Sequence, residues 1–257
     1  HFNPQGDDAT EFVELLNPTT HAINLRGARF ISGISYDFPD NRDIPLAPGG
    51  RLLLVASQYA FQKRYGLTVP IGGVYFDRFD NAGDHVVLGT SAAATLVDLT
   101  FDDIAPWPDS ADGEGYSLVL ANISAPNSPA SYRTSTDPNG NPGGSDSTTF
   151  GGNPLADADA DGLVALVEHL LGTSDTIPTV QPLVAGRTSD GRATITFPRR
   201  LSADDLTYVV EASTNLGTWS PAATRSQHLN LGNGMATETW TANSADSRQF
   251  MRVRVVK

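Results

Sequence analysis

The residues of this chain best suited to chemistry are acids set at a fixed spacing. The run Asp157-Ala-Asp-Ala-Asp-Gly-Leu-Val-Ala-Leu-Val-Glu168 places Asp157, Asp159 and Asp161 at positions 1, 3 and 5 of a twelve-residue loop. Gly162 then stands at position 6, Leu163 at 7 and Glu168 at 12. Alternating carboxylates converge on one hard cation, glycine permits the sharp turn, a backbone carbonyl contributes at position 7, and the last glutamate closes the sphere with both oxygens. The expected ligands are Asp157, Asp159, Asp161, the Leu163 carbonyl and Glu168, with a water at position 9, where Ala165 offers no donor. A flexible all-oxygen loop favours Ca²⁺ over Mg²⁺, which needs a tighter octahedron. The competing reading is an acidic, solvated turn that caps a helix.

Other constellations are weaker. Asp98, Asp102, Asp103, Asp109, Asp112 and Glu114 gather in sequence around Trp107. Paired carboxylates serve glycoside hydrolysis, but a loop closing a sheet, or a second cation, suits them better. His1 could chelate copper with a second histidine, His21 or His85. His169, beside Glu168, is expected on the exposed side of a helix. No Gly-x-Ser-x-Gly elbow presents a serine nucleophile. Trp107, Trp219 and Trp240 could line a glycan platform, although tryptophan in a small β domain more often fills the core.

The elements that must carry these residues read mainly as strands. Glu11-Phe-Val-Glu-Leu-Leu16 is stopped by Asn17-Pro18, since proline donates nothing to a ladder and restricts the residue before it. Further strands are expected at 23–25 and 28–31, with Gly27 a bulge or turn between them, and at 51–56, 86–88, 96–101 and 116–120, with a short helix Gln58–Tyr65 capped by Ser57 and closed by Gly66. Residues 121–154 are rich in Gly, Pro, Ser and Asn and read as a linker, with Tyr132 and Phe150 as the side chains that dock it. Leu163, Leu166, Val167 and Leu170 fall at helical spacing up to Gly172. With no second helix to form a paired sensor, that stripe packs permanently on a neighbour. Beyond residue 180 the alternation of Ala193-Thr-Ile-Thr-Phe197 and of 207–212, with strands at 238–241 and 250–256, predicts a second sheet structure. Leu231-Gly-Asn-Gly-Met235 is its hairpin turn.

Composition bounds the partners. The 257 residues hold 17 basic and 29 acidic side chains, a net charge of −12. Residues 1–120 carry −9, 121–179 carry −6 and 180–257 carry +3. This sign excludes nucleic acid as a natural partner, because displacing counterions needs a basic surface. The opposed charges of the two ends allow head-to-tail attraction between copies. No cysteine is present, which rules out disulfides, thiolate zinc sites and cysteine nucleophiles. Apolar runs such as 52–56 fall far short of the ~20 residues of a membrane span. No leader opens the sequence, which reads as a mature or trimmed piece.

The first 120 residues resemble the bacterial lamin-tail family, whose fold is immunoglobulin-like. Glu11-Phe-Val-Glu-Leu-Leu-Asn-Pro18, Ile23-Asn-Leu-Arg-Gly27, Leu46-Ala-Pro-Gly-Gly50 and Asn81-Ala-Gly-Asp-His-Val-Val-Leu88 carry that resemblance. Val97-Asp98, Ala105-Pro-Trp-Pro108 and Asp112-Gly-Glu-Gly-Tyr-Ser-Leu118 extend it. Members usually begin with a strand ahead of the position of His1, so the resemblance implies an open sheet edge here. The acidic loop is similar to thrombospondin type 3-like and dockerin-like loops. The tail, with Tyr208-Val-Val-Glu-Ala-Ser-Thr-Asn-Leu216, Trp219 and Phe250-Met-Arg-Val-Arg-Val255, resembles C-terminal sandwiches of secreted planctomycete–verrucomicrobial proteins.

The expectation is an all-β protein of two immunoglobulin-like sandwiches, at 1–120 and 180–257, joined by a Gly/Pro/Ser-rich linker (121–154) and a calcium loop with one short helix (155–179). The resemblance implies a non-catalytic, extracellular or cell-surface structural or adhesion protein. Its partners would be copies of itself, assembling as filaments or matrix, or a surface glycan or protein. Calcium would fix the linker so that both sandwiches present as one rod. A site of ~10⁻⁴ M affinity at about millimolar calcium stabilises its bound form by about 1.4 kcal/mol, enough to stiffen a junction. The alternative is a carbohydrate-binding accessory region of a larger secreted enzyme.

Overall fold

A computed structural model describes residues 1–180 and 182–257. The protein is mainly β, with several sheets and, among the described residues, two α-helices. None of its helices is long and apolar enough to cross a membrane, again among the described residues. The chain divides into two compact units, His1–Asp146 and Ser147–Lys257.

In the first unit, β1 (Phe12–Leu16) is followed by the short β2 (Ile23–Asn24), β3 (Arg29–Ser32) and β4 (Pro45–Leu46). Then come β5 (Arg51–Val55), α1 (Gln58–Tyr65), β6 (Gly73–Val74), β7 (Gly83–Gly89) and β8 (Thr95–Asp102), and last β9 (Leu118–Leu120) and β10 (Tyr132–Thr134). One sheet orders β1-β5-β6, with β6 parallel to β5; another orders β3-β7-β8; β2 pairs with β4 and β9 with β10. The stop after β1 has a physical cause. Asn17 is fully buried and its amide donates to the carbonyls of Leu46 (2.8 Å) and His21 (2.7 Å), so the chain turns around a side chain that stands in for backbone. Helix α1 starts where the Ser57 hydroxyl accepts the Ala60 N–H (3.3 Å) and ends at Gly66, whose φ of 88° suits glycine. Its inner side places fully buried Phe61 edge-on to Phe12, ring centroids 6.0 Å apart.

This unit runs on past the break read at residue 120. Within the stretch read as linker, β10 pairs with β9 and Tyr132 lies against buried Trp107, ring centroids 5.1 Å apart. Arg133, 4% exposed, pairs with Asp146, whose carboxylate also takes the Thr136 N–H (3.0 Å) and hydroxyl (2.6 Å). A segment too polar to build a core of its own is thus held by strand pairing, a buried ion pair, an aromatic contact and hydrogen bonds such as Ser135 N–H to the Ser117 carbonyl (2.9 Å).

The second unit takes the remainder of that stretch. Phe150 is buried with Ala165, Leu170, Ala203 and Leu206, and Thr148 N–H donates to Ser202 (2.8 Å). After α2 (Ala165–Leu171) come β11 (Val184–Arg187), β12 (Ala193–Arg200), β13 (Thr207–Ser213), β14 (Ala223–Asn230), β15 (Met235–Ala242) and β16 (Phe250–Val256). The four-stranded sheet orders β11-β12-β15-β14, and β13 pairs with β16. The alternation of β12 holds: Ala193, Ile195 and Phe197 are buried, and their neighbours are not. Ile195 and Phe197 share a core with Val210 of β13 and with Met251 and Val253 of β16, so the two sheets face one another. The hairpin read at 231–235 joins β14 to β15, with Leu231 N–H on the Met235 carbonyl (2.9 Å).

Two expectations change. The acidic loop and its helix are not a connector standing between two sheet structures; they belong to the second unit. Leu170 and Leu171 of α2, 0% and 1% exposed, fill its core against Leu206, Ile195 and Phe197. His169 is not on the exposed side. Its ring lies 5.5 Å from that of Phe150, and burial, followed by the charge of Arg200, holds its pKa below the usual histidine value.

Candidate metal centre

The loop is built from its own backbone inward. Ala165 N–H donates to Ala156 (2.7 Å), so the first turn of α2 is tied to the start of the loop. Between these anchors the chain reverses through Ala160 (φ 61°) and Gly162 (φ 94°), and the left-handed region is one that glycine alone enters without strain. This reversal turns N–H groups toward the carboxylates. Asp161 N–H points at Asp157 and Asp159 (3.2 Å each), Gly162 N–H at Asp157 (3.1 Å) and Leu163 N–H at Asp161 (2.8 Å). One oxygen from each of Asp157, Asp159 and Asp161 thereby falls within 4.8 Å of the other two, a spacing one cation can span.

Glu168, in the first turn of α2, lies outside this group of three but near enough to feel the charges of Asp159 and Asp161. It is only 1% exposed; its Oε1 accepts the Thr173 hydroxyl (3.1 Å), while Oε2 has no hydrogen-bond partner. Asp159 Oδ2 is likewise buried without one. Burial raises the Glu168 pKa; the Thr173 hydroxyl opposes that, and the charges of Asp159, Asp161 and Asp175 add to it. Two orphaned buried oxygens in a field of like charge are costly unless a cation sits among them. An all-oxygen set of this kind fits a hard divalent ion.

The spacing therefore brings Asp157, Asp159 and Asp161 together, while Glu168, the expected closing ligand, stands outside that group of three. Leu163 lies at the entry to α2, its side chain packed with Leu171, Ile195 and Phe197. Ala165 offers no ligand atom at position 9. Three residues after the helix went unread. Thr173 binds Glu168, Asp175 accepts the Ala158 N–H (3.3 Å), and Thr179 N–H donates to Asp161 (2.7 Å). The only signal for them in the sequence was a further acid seven residues beyond Glu168.

The remaining candidates lie apart. Asp98 pairs with His85 across β7 and β8 (2.8 Å), and Asp112 takes the Asn3 amide (2.6 Å). A shared hydrogen bond holds Asp102 low and Asp103 high in pKa. Among the described residues, the loop aspartates alone gather three donors for a metal. The His1 ring packs edge-on against Phe12 (5.3 Å) with Tyr65 Oη at 3.3 Å, while His85 is engaged by Asp98. Trp107 is buried, Trp240 donates inward to Glu238, and Trp219 is partly exposed beneath the Arg252 guanidinium (4.3 Å). Comparison with protein-family models, with curated proteins and with solved structures finds no match.

Proposed function

We propose that this chain is a calcium-stabilised, non-catalytic structural or adhesion protein of the cell surface or extracellular space. In this reading, Asp157, Asp159, Asp161, the Leu163 carbonyl and Glu168 hold the ion. The observation that carries it is the convergence of three aspartate oxygens beside the orphaned, buried oxygens of Glu168 and Asp159. Because α2 is part of the second unit's core, the ion's effect falls on the stability of that unit. An isolated loop of this type binds in the ~10⁻⁴–10⁻³ M range, which suits a calcium-rich exterior. The immunoglobulin-like reading of both units is supported by short antiparallel strands in facing sheets and by the lamin-tail-like residues of β1, β5 and β7.

Self-association is the second half of the proposal. Strands β8 and β16 each pair on one side only among the described residues, and such edges accept an added strand. The acidic first unit and the basic strands of the second favour contact between copies.

Calcium at millimolar concentration is expected to raise the second unit's melting temperature by roughly 5 °C relative to chelator. Glu168→Gln should abolish most of that rise. Equal melting in calcium and chelator would overturn the metal reading, and monomers alone in electron micrographs with calcium would overturn assembly. The partly exposed Trp219 supports the glycan-binding alternative, which predicts glycan-array binding lost in Trp219→Ala.

A further inference from the structure

We propose that the cation site extends beyond the twelve-residue loop: Asp175 backs the ligand loop as an outer partner from the segment after α2, so that a bound divalent ion also fastens that segment. The inference rests on the reading of the loop as a calcium site and names what that site controls. Gly172 ends α2 with φ 73°, a left-handed residue that turns the chain back toward the loop. From there the segment touches the acidic group three times. The Thr173 hydroxyl meets Glu168 (3.1 Å), Asp175 meets the Ala158 N–H (3.3 Å), and Thr179 N–H meets Asp161 (2.7 Å). Ala158 lies between ligand positions 1 and 3, so the Asp175 carboxylate sits against the backbone joining two ligands.

Two further observations favour an ion at this junction. Glu168, 1% exposed, and Asp159 each present a buried oxygen with no partner. Residues 157–175 contain five carboxylates and no lysine or arginine. Apolar packing does little for the segment itself, since Ile177 is 67% and Val180 92% exposed. Its polar ties run through carboxylates that the ion would order. Loss of the ion should therefore release residues 173–180 before it disturbs the sheets.

Calorimetric titration of the full chain with calcium chloride tests this. Asp175→Asn is expected to weaken binding about tenfold, as removal of an outer partner of metal ligands does. Asp175→Ala, which removes the acceptor for Ala158 as well as the charge, should weaken it at least as much. In limited proteolysis, calcium should protect 173–180 in the native chain and much less in either variant. Affinity within twofold of native, with unchanged protection, would overturn the role of Asp175 while leaving the loop reading intact. A native chain that binds no calcium would defeat both.

Discussion

Glu238→Ala is expected to cost the second unit about 3–5 kcal/mol, the range found when one partner is removed from a buried charge cluster. Glu238 lies on β15, fully buried, at the centre of groups drawn from four strands. Tyr208 Oη–H and Trp240 Nε1–H donate to its Oε2 at 2.7 and 3.0 Å. Around Oε1 stand Arg199 (3.6 Å), Arg225 (3.4 Å) and His228 (3.5 Å). Burial alone would raise its pKa, but His228, the charge of Arg199, and the Tyr208 and Trp240 hydrogen bonds outweigh it and hold the carboxyl at about 2. Alanine would leave Arg199, with a side chain 13% exposed, charged and uncompensated. Glu238→Gln should cost less, because it keeps acceptors for Tyr208 and Trp240. The double change Glu238→Met with Arg199→Met should recover much of the loss, since it removes both charges. Urea unfolding followed by fluorescence checks this. A loss under 1 kcal/mol for Glu238→Ala would show that the cluster is not what holds β12, β14 and β15 in place. The sign with pH follows from the low pKa: the contribution is present above about pH 4.5 and fades as pH falls toward 2.

How far these features could be read from sequence depends on the range of the interaction that fixes them. The alternation of Ala193, Ile195 and Phe197, the Ser57 and Gly66 ends of α1, and the Gly-Asn-Gly hairpin are local patterns, and each stands where the sequence places it. The spacing of Asp157, Asp159 and Asp161 is also local, because a tight loop fixes which carboxylates converge. Asp175 escapes such reading, since its place depends on the length of α2 and the turn at Gly172. Strand β10 escapes it too: a polar three-residue strand is legible only once Trp107 and Asp146 are known to meet Tyr132 and Arg133. Glu11 and Glu238 look like ordinary surface acids of strand segments. Their burial is set by partners up to 68 residues away in sequence.

Raising the pH from about 4.5 to 7 is expected to take from the first unit about 3 kcal/mol of stability that a buried proton on Glu11 supplies, the opposite of the trend Glu238 gives the second. Glu11, 1% exposed just ahead of β1, accepts Phe79 N–H (3.2 Å) and Tyr75 Oη–H (3.4 Å), with Arg78 3.7 Å away. Burial raises its pKa to about 7; the Phe79 hydrogen bond and the Arg78 charge only partly oppose that, and Asp8 adds to it. The folded unit therefore keeps its proton through a range where the unfolded chain has released it. Stability from that proton is complete below about pH 4.5 and lost as pH rises through 7. For a unit of this size the loss corresponds to roughly 10 °C in melting temperature. The buried His1 amino group, its pKa lowered by burial to about 5, gains stability over the same window, so the Glu11 contribution is read by calorimetry as the difference between the native chain and Glu11→Gln. Glu11→Gln keeps an acceptor but cannot ionise, so between pH 4.5 and 7 its first-unit transition should rise relative to that of the native chain by about that amount, with the second unit unchanged. Native and Glu11→Gln profiles that run parallel between pH 4.5 and 7 would mean that Glu11 ionises freely where it lies, with the Arg78 guanidinium closing over its carboxylate.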